Sequence, residues 1–151
     1  YHTFAEQPFS EVFPREQLKG AIRQQVTNFQ SVLLKNNGAN GFEISPLPIA
    51  AQIAPVQTIL VDDFDKDSHL DALLGGNFHE VQPAIGKMDA SYGTFLKGDG
   101  KGNFELVDNA KTGLWLEGQV RDLESIQIGN QTYLMVARNN EFVQFLKQKK
   151  Q

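Results

Sequence analysis

The sequence predicts a mainly β chain of two repeated units behind one N-terminal amphipathic helix, and three observations predict it. Short aliphatic runs are bounded by Gly, Asn, Asp and Pro; a residue pattern returns after 62 positions; and Leu18, Ile22 and Val26, ahead of both, stand four apart. Such spacing lines one face of a helix over Pro14–Val26. Pro14 suits a first helical position, while Gly20 is a poor helix former in its middle. This helix is expected to pack on the β part. The chain therefore divides into an N-terminal helical segment, 1–30, a first unit, 31–92, and a second, 93–151.

The repeat is read by laying Leu34-Lys-Asn-Asn-Gly38-Ala-Asn-Gly-Phe42-Glu-Ile44 over Leu96-Lys-Gly-Asp-Gly100-Lys-Gly-Asn-Phe104-Glu-Leu106. At an ungapped offset of 62, Leu, Lys, Gly, Phe and Glu coincide. The same offset carries Gln57 onto Gln119, Ala72-Leu-Leu74 onto Leu134-Met-Val136, and Asn77 onto Asn139. In each unit an aliphatic run ends in an Asn/Asp/Gly cluster and restarts at Phe, the pattern of a β-hairpin. Thr58-Ile-Leu-Val61 and Ala72-Leu-Leu74 read as buried strands. Pro46, Pro48 and Pro55 keep the intervening segment extended or looped.

Composition narrows the function classes. Forty per cent hydrophobic content with eleven Phe supports a packed core. No apolar run approaches the roughly 20 residues of a membrane helix, so no membrane span is expected. The net charge of −4 lacks the basic face of a nucleic-acid binder, and the one basic cluster, Lys147-Gln-Lys-Lys150, reads as a solvated tail. With no cysteine there is no disulfide framework and no thiolate chemistry. Tyr1-His-Thr-Phe-Ala-Glu-Gln7 lacks a basic start, an apolar signal core and an initiator Met, which points to a piece of a longer protein.

The strongest chemical signal is Asp63-Phe-Asp65-Lys-Asp67-Ser-His69-Leu-Asp71. Calcium takes six to eight oxygens, and carboxylates at alternate loop positions converge on it. Asp63, Asp65, Asp67 and Asp71 occupy positions 1, 3, 5 and 9 of such a loop, and His69 at position 7 would serve through its carbonyl. A solvated acidic turn accounts for one or two aspartates, not for four at ligand spacing. Drawn to about 5 Å without a cation, each carboxylate pair would cost about 3 kcal/mol at an effective dielectric near 20. Ser68 and Leu74 replace the Gly and bidentate Glu of a helical EF-hand, and the flanks are strand-like, so the loop is β-flanked. The second unit sets Ser125, Gln127, Gly129 and Tyr133 at the four aspartate positions, so one calcium per chain is expected. There Ile126 and Ile128 would run on as an ordinary strand to a turn at Gly129-Asn130.

In order, Leu34-Lys-Asn-Asn-Gly38…Gly41-Phe42, then Ile59-Leu-Val-Asp-Asp-Phe-Asp-Lys-Asp67…Asp71-Ala-Leu-Leu-Gly-Gly-Asn77, resembles the FG-GAP or VCBS repeats of integrin α-chains and of many bacterial surface proteins. Asn77-Phe-His-Glu80…Ile85-Gly-Lys-Met-Asp-Ala-Ser-Tyr-Gly93 resembles the C-terminal end of bacterial proteins that join such repeats to an ASPIC/UnbV segment. The resemblance covers residues 31–145 or so. It implies that each repeat is a β-propeller blade, two in this chain against the four to eight or so of a closed propeller. It also implies calcium on Asp63, Asp65, Asp67, Asp71 and the His69 carbonyl.

Other chemistry finds little support. His2, His69 and His79 form no zinc spacing, Ser91 lacks a nucleophile elbow, and Gly98-x-Gly100-x-Gly102 is not a dinucleotide fingerprint. Trp115, beside Leu114 and Leu116, reads as core. Phe78–Tyr92 reads as a long connection, with a ligand site lined by Phe78, His79, Glu80, Asp89 and Tyr92 as the alternative. The functional expectation is a calcium-binding, non-catalytic binding or adhesion module of an extracellular or cell-surface protein, with a protein or carbohydrate ligand. The alternative is an accessory region of a larger, polysaccharide-directed enzyme.

Overall fold

Most of the turn-bounded aliphatic runs form strands in the computed structural model, which describes residues 2–148. Two short helices, α1 (His2–Glu6) and α2 (Phe9–Val12), precede nine strands. These are β1 (Val32–Asn36), β2 (Phe42–Pro46), β3 (Val56–Asp62), β4 (Asp71–Gly76), β5 (Thr94–Gly98), β6 (Phe104–Val107), β7 (Val120–Ile128), β8 (Gln131–Arg138) and β9 (Gln144–Lys147), with a single-turn helix α3 (Asn109–Thr112) before β7. They pair antiparallel in three sheets, ordered β1-β2, β3-β4-β5-β6 and β7-β8-β9. The chain is mainly β. Among the described residues none of the sheets closes into a barrel or a propeller, and no helix is long and apolar enough to cross a membrane.

The helix expected over Pro14–Val26 does not form. Residues 15–20 make turns, and 21–29 have no regular structure. An amphipathic helix draws most of its stability from burying its apolar stripe. Here Leu18, Ile22 and Val26 remain exposed, Ile22 at 89%. Gly20 takes φ +87°, in the left-handed region that ends helices. The spacing is helical, but among the described residues no surface receives the stripe.

The core lies on the two sides of β4, in which every residue is buried. Side chains alternate across a strand, and β4 sends Leu73 one way and Ala72 and Leu74 the other. Leu73 joins Leu116, Val120, Leu123 and Val136, so β7 and β8 pack over that face. Ala72 and Leu74 join Ala51 and Leu96, with Leu47, Val56 and Phe104 at the margin. Gly75 lets β7 come close: a Cβ there would lie 2.6 Å from Val120 Cγ1. Of the two runs expected to be buried strands, β3 is buried on one face only. Leu60 faces the core, while Ile59 and Val61 are more than half exposed.

The four-stranded sheet spans the unit boundary at 92/93, taking β3 and β4 from the first unit and β5 and β6 from the second. The link is the β4–β5 ladder, in which Ala72 pairs with Leu96 and Leu74 with Thr94. Leu96 is fully buried, whereas Leu34 is 57% exposed. Leu96→Ala should therefore cost about 2–5 kcal/mol in urea unfolding, and Leu34→Ala less than about 1 kcal/mol.

Candidate metal centre

β3 and β4 pair up to Asp62↔Asp71, so residues 63–70 form the loop that closes this hairpin. Lys66 (φ 63°) and Ser68 (φ 71°) adopt left-handed backbone conformations that curl the chain inward. Backbone donors then hold the carboxylates. Asp63 accepts from Asp67 N at 3.1 Å and from Ser68 N at 2.9 Å. Asp65 accepts from Asp67 N at 3.2 Å, and Asp67 from His69 N at 2.9 Å. Asp62 is exposed and accepts from Asp63 N.

Asp71 anchors the arrangement. It is fully buried, and its two oxygens accept from Phe64 N at 3.2 Å and Gly98 N at 2.9 Å. One carboxylate thus ties the start of the loop to β5. The residue at 98 must be glycine, since a Cβ there would lie 2.0 Å from the Leu70 carbonyl oxygen.

Oxygens of Asp63, Asp65 and Asp71 come within 4.8 Å of one another. Calcium–oxygen bonds of about 2.3–2.6 Å place ligand oxygens up to about 5 Å apart, so these oxygens fit around a common ion. Asp67 stands apart from this triad. Its Oδ2 lies 2.8 Å from Lys97 Nζ, and the same ammonium pairs with Asp65 Oδ2. The hydrogen bond from Lys97 holds the Asp67 carboxyl below the usual carboxylate range, and Asp65 first, then Asp67, push the Lys97 ammonium above its ordinary value. His69 is on the outgoing arm with its ring over Gly100. Of the five residues assigned to the site, three converge, Asp67 is held by a lysine, and His69 borders them.

Sequence reasoning missed Lys97 and Gly98; the one signal for the first is that Lys35 and Lys97 coincide at the 62-residue offset, each next to a Leu. β7 runs to Ile128, with its turn at Gly129-Asn130. Ser125 and Gln127 are ladder residues there, opposite Leu134 and Thr132.

Phe78–Tyr92 behaves as a connection. Asn77, 2% exposed, donates to the Ser91 and Gly118 carbonyls at 2.7 and 2.9 Å. Glu80 accepts from Arg121 at 3.2 Å and from Asn139 at 3.0 Å, fastening the segment to the three-stranded sheet. Trp115, expected in the core, is half exposed and stacks on Tyr92 with ring centroids 4.2 Å apart. Its neighbours Leu114 and Leu116 fill the core, which turns the indole outward.

The chain is thus mainly β, with an acidic loop between β3 and β4 whose Asp63 and Asp65 carboxylates lie near that of Asp71. No family model matches this chain, and no curated protein or solved structure matches it either.

Replacing Asp71 by Ala should lower stability by about 2–5 kcal/mol even without metal, because it orphans the buried Gly98 amide and the part-buried Phe64 amide. Ser68→Gly should raise stability by about 0.5–1 kcal/mol by relieving a left-handed Cβ. Denaturant titration in the presence of chelator reads both.

Proposed function

We propose that this chain is a calcium-binding, non-catalytic binding or adhesion module, similar to FG-GAP repeats and part of an extracellular or cell-surface protein. The observation that carries the reading is the convergence of Asp63, Asp65 and Asp71 within 4.8 Å. These donors are hard carboxylate oxygens without sulfur or imidazole, which suits calcium or magnesium rather than zinc or copper. Three or four carboxylates gathered from one loop and the strand after it favour calcium, since magnesium demands strict octahedral geometry and keeps most of its water. Asp67 and the His69 carbonyl complete the proposed ligand set, with Asp67 exchanging Lys97 for the ion. The ion's role is structural: it neutralises the loop and fixes the β3–β4 connection.

The repeat reading draws support from strand placement. Shifted by 62, β1 falls on β5, β2 overlaps β6, and β4 falls on the end of β8. The β3–β6 sheet is a four-stranded meander, the form of one propeller blade. A protein or carbohydrate partner fits a non-catalytic surface of this kind.

Calorimetric titration should give one calcium per chain. With a dissociation constant of about 0.1–1 mM, as in extracellular modules, millimolar calcium should add about 1–2 kcal/mol. Melting curves in calcium and in chelator should then separate, and Asp63→Asn with Asp65→Asn should merge them. Superimposed wild-type curves, or two equivalent sites, would refute the assignment.

A further inference from the structure

Leu114 and Leu116, on either side of Trp115, pack into the core. The indole between them is left outside at 51% exposure, beside Tyr92 at 43%. The two rings stack with centroids 4.2 Å apart and 20° between their planes. Each covers one face of the other, so what stays open on either ring is the opposite face and the rim.

Single aromatic residues on a surface are ordinary, but this pair is held from several sides. The Leu116 amide donates to the Tyr92 carbonyl at 3.0 Å. Asn109 Nδ2, from α3, donates to the Tyr92 and Gly93 carbonyls at 3.3 and 3.0 Å. Gln144 Nε2, from β9, donates to the Trp115 carbonyl at 3.1 Å. The indole Nε1 itself donates to Glu117 Oε1 at 2.8 Å, which fixes the direction of the ring. The platform is therefore set before any ligand arrives, and a preorganised surface loses little freedom on binding. Glu117 is exposed, and its second oxygen has no hydrogen-bond partner among the described residues.

These features discriminate between the ligands that stack on aromatic rings. A nucleobase would stack equally well, but its phosphate would meet the Glu117 carboxylate on a chain of net charge −4, where such sites are usually basic. A quaternary ammonium is held by several aromatic walls, whereas two near-parallel rings give one flat surface. A proline ring fits a flat aromatic surface but has no N–H or O–H to offer the carboxylate. A pyranose whose hydroxyls are all equatorial supplies both halves. Its axial C–H bonds, positive at hydrogen, meet the negative face of the ring, and a hydroxyl at its rim donates to Glu117.

We infer that the Tyr92–Trp115 stack, with Glu117 at its edge, is a binding platform for neutral oligosaccharides of all-equatorial, β-linked pyranose units. The inference rests on the reading of the chain as a binding module and not on its calcium.

Trp115 is the chain's one tryptophan, so indole fluorescence reads this site alone. The full chain is titrated with cellotetraose, xylotetraose and chitotetraose, in calcium and in chelator, and acrylamide quenching is measured at saturation. At least one of these sugars should shift the emission and lower the quenching constant at least twofold. By calorimetry, Trp115→Ala should weaken its binding at least tenfold. Should that variant lose the β spectrum, Glu117→Ala, at an exposed position, takes its place and should weaken binding at least threefold. No shielding by any of the three sugars, or binding that survives these substitutions, would overturn the platform. So would shielding by choline, a proline decapeptide or a short single-stranded oligonucleotide with none by the sugars. One calcium bound per chain with the indole unshielded would remove this inference and leave the metal reading standing. Shielding by a sugar with no calcium bound would do the reverse.

Discussion

β4 is a strand with no solvent face, and the rest of the structure is organised by that constraint. A sheet normally spends one side of each strand on water, which is why alternation is the usual strand pattern. Asp71-Ala-Leu-Leu-Gly-Gly76 does not alternate, and each of its residues is buried. Leu73 brings in the three-stranded sheet through Leu123 and Val136, while Ala72 and Leu74 bring in Leu96 and the turn at Ala51. The glycines that end the strand let neighbouring backbone and β7 approach within distances no side chain would permit. Both hydrophobic clusters thus depend on one six-residue segment.

The same strand begins with the carboxylate that positions the acidic loop. Burying Asp71 is tolerable because two backbone amides satisfy its oxygens, one from the loop and one from β5. The loop's shape is consequently coupled to the sheet, and whatever binds the loop acts on the β4–β5 ladder. Lys97 adds a tethered positive charge between Asp65 and Asp67, which offsets the mutual repulsion of the clustered carboxylates. Charge and geometry are supplied by different residues: Asp71 fixes where the loop sits, and Lys97 moderates its charge.

One sheet joins β3 and β4 to β5 and β6, so segments separated by the long 77–93 connection are tied through the β4–β5 ladder. The β1–β2 and β5–β6 hairpins share Leu, Lys, Gly, Phe and Glu, yet Leu96 is buried and Leu34 exposed, according to what lies beside each.

Local chemistry made much of this legible in the sequence. Turn residues around aliphatic runs marked the hairpins, and closely spaced aspartates marked the loop between β3 and β4. These features depend on residues close in the chain, and backbone sterics and short-range hydrogen bonds decide them. The tertiary structure alone decided the rest. Leu18, Ile22 and Val26 have helical spacing but no surface to bury against, so the helix is absent. Trp115 turns outward because two leucines occupy the core beside it. Asp65 and Asp67 share a lysine from β5, about thirty residues on, a partner that the spacing within the loop does not show. In each case the deciding term is a contact between distant segments, whose free energy depends on which surfaces the folded sheets bring together, and periodicity within one segment carries no record of that.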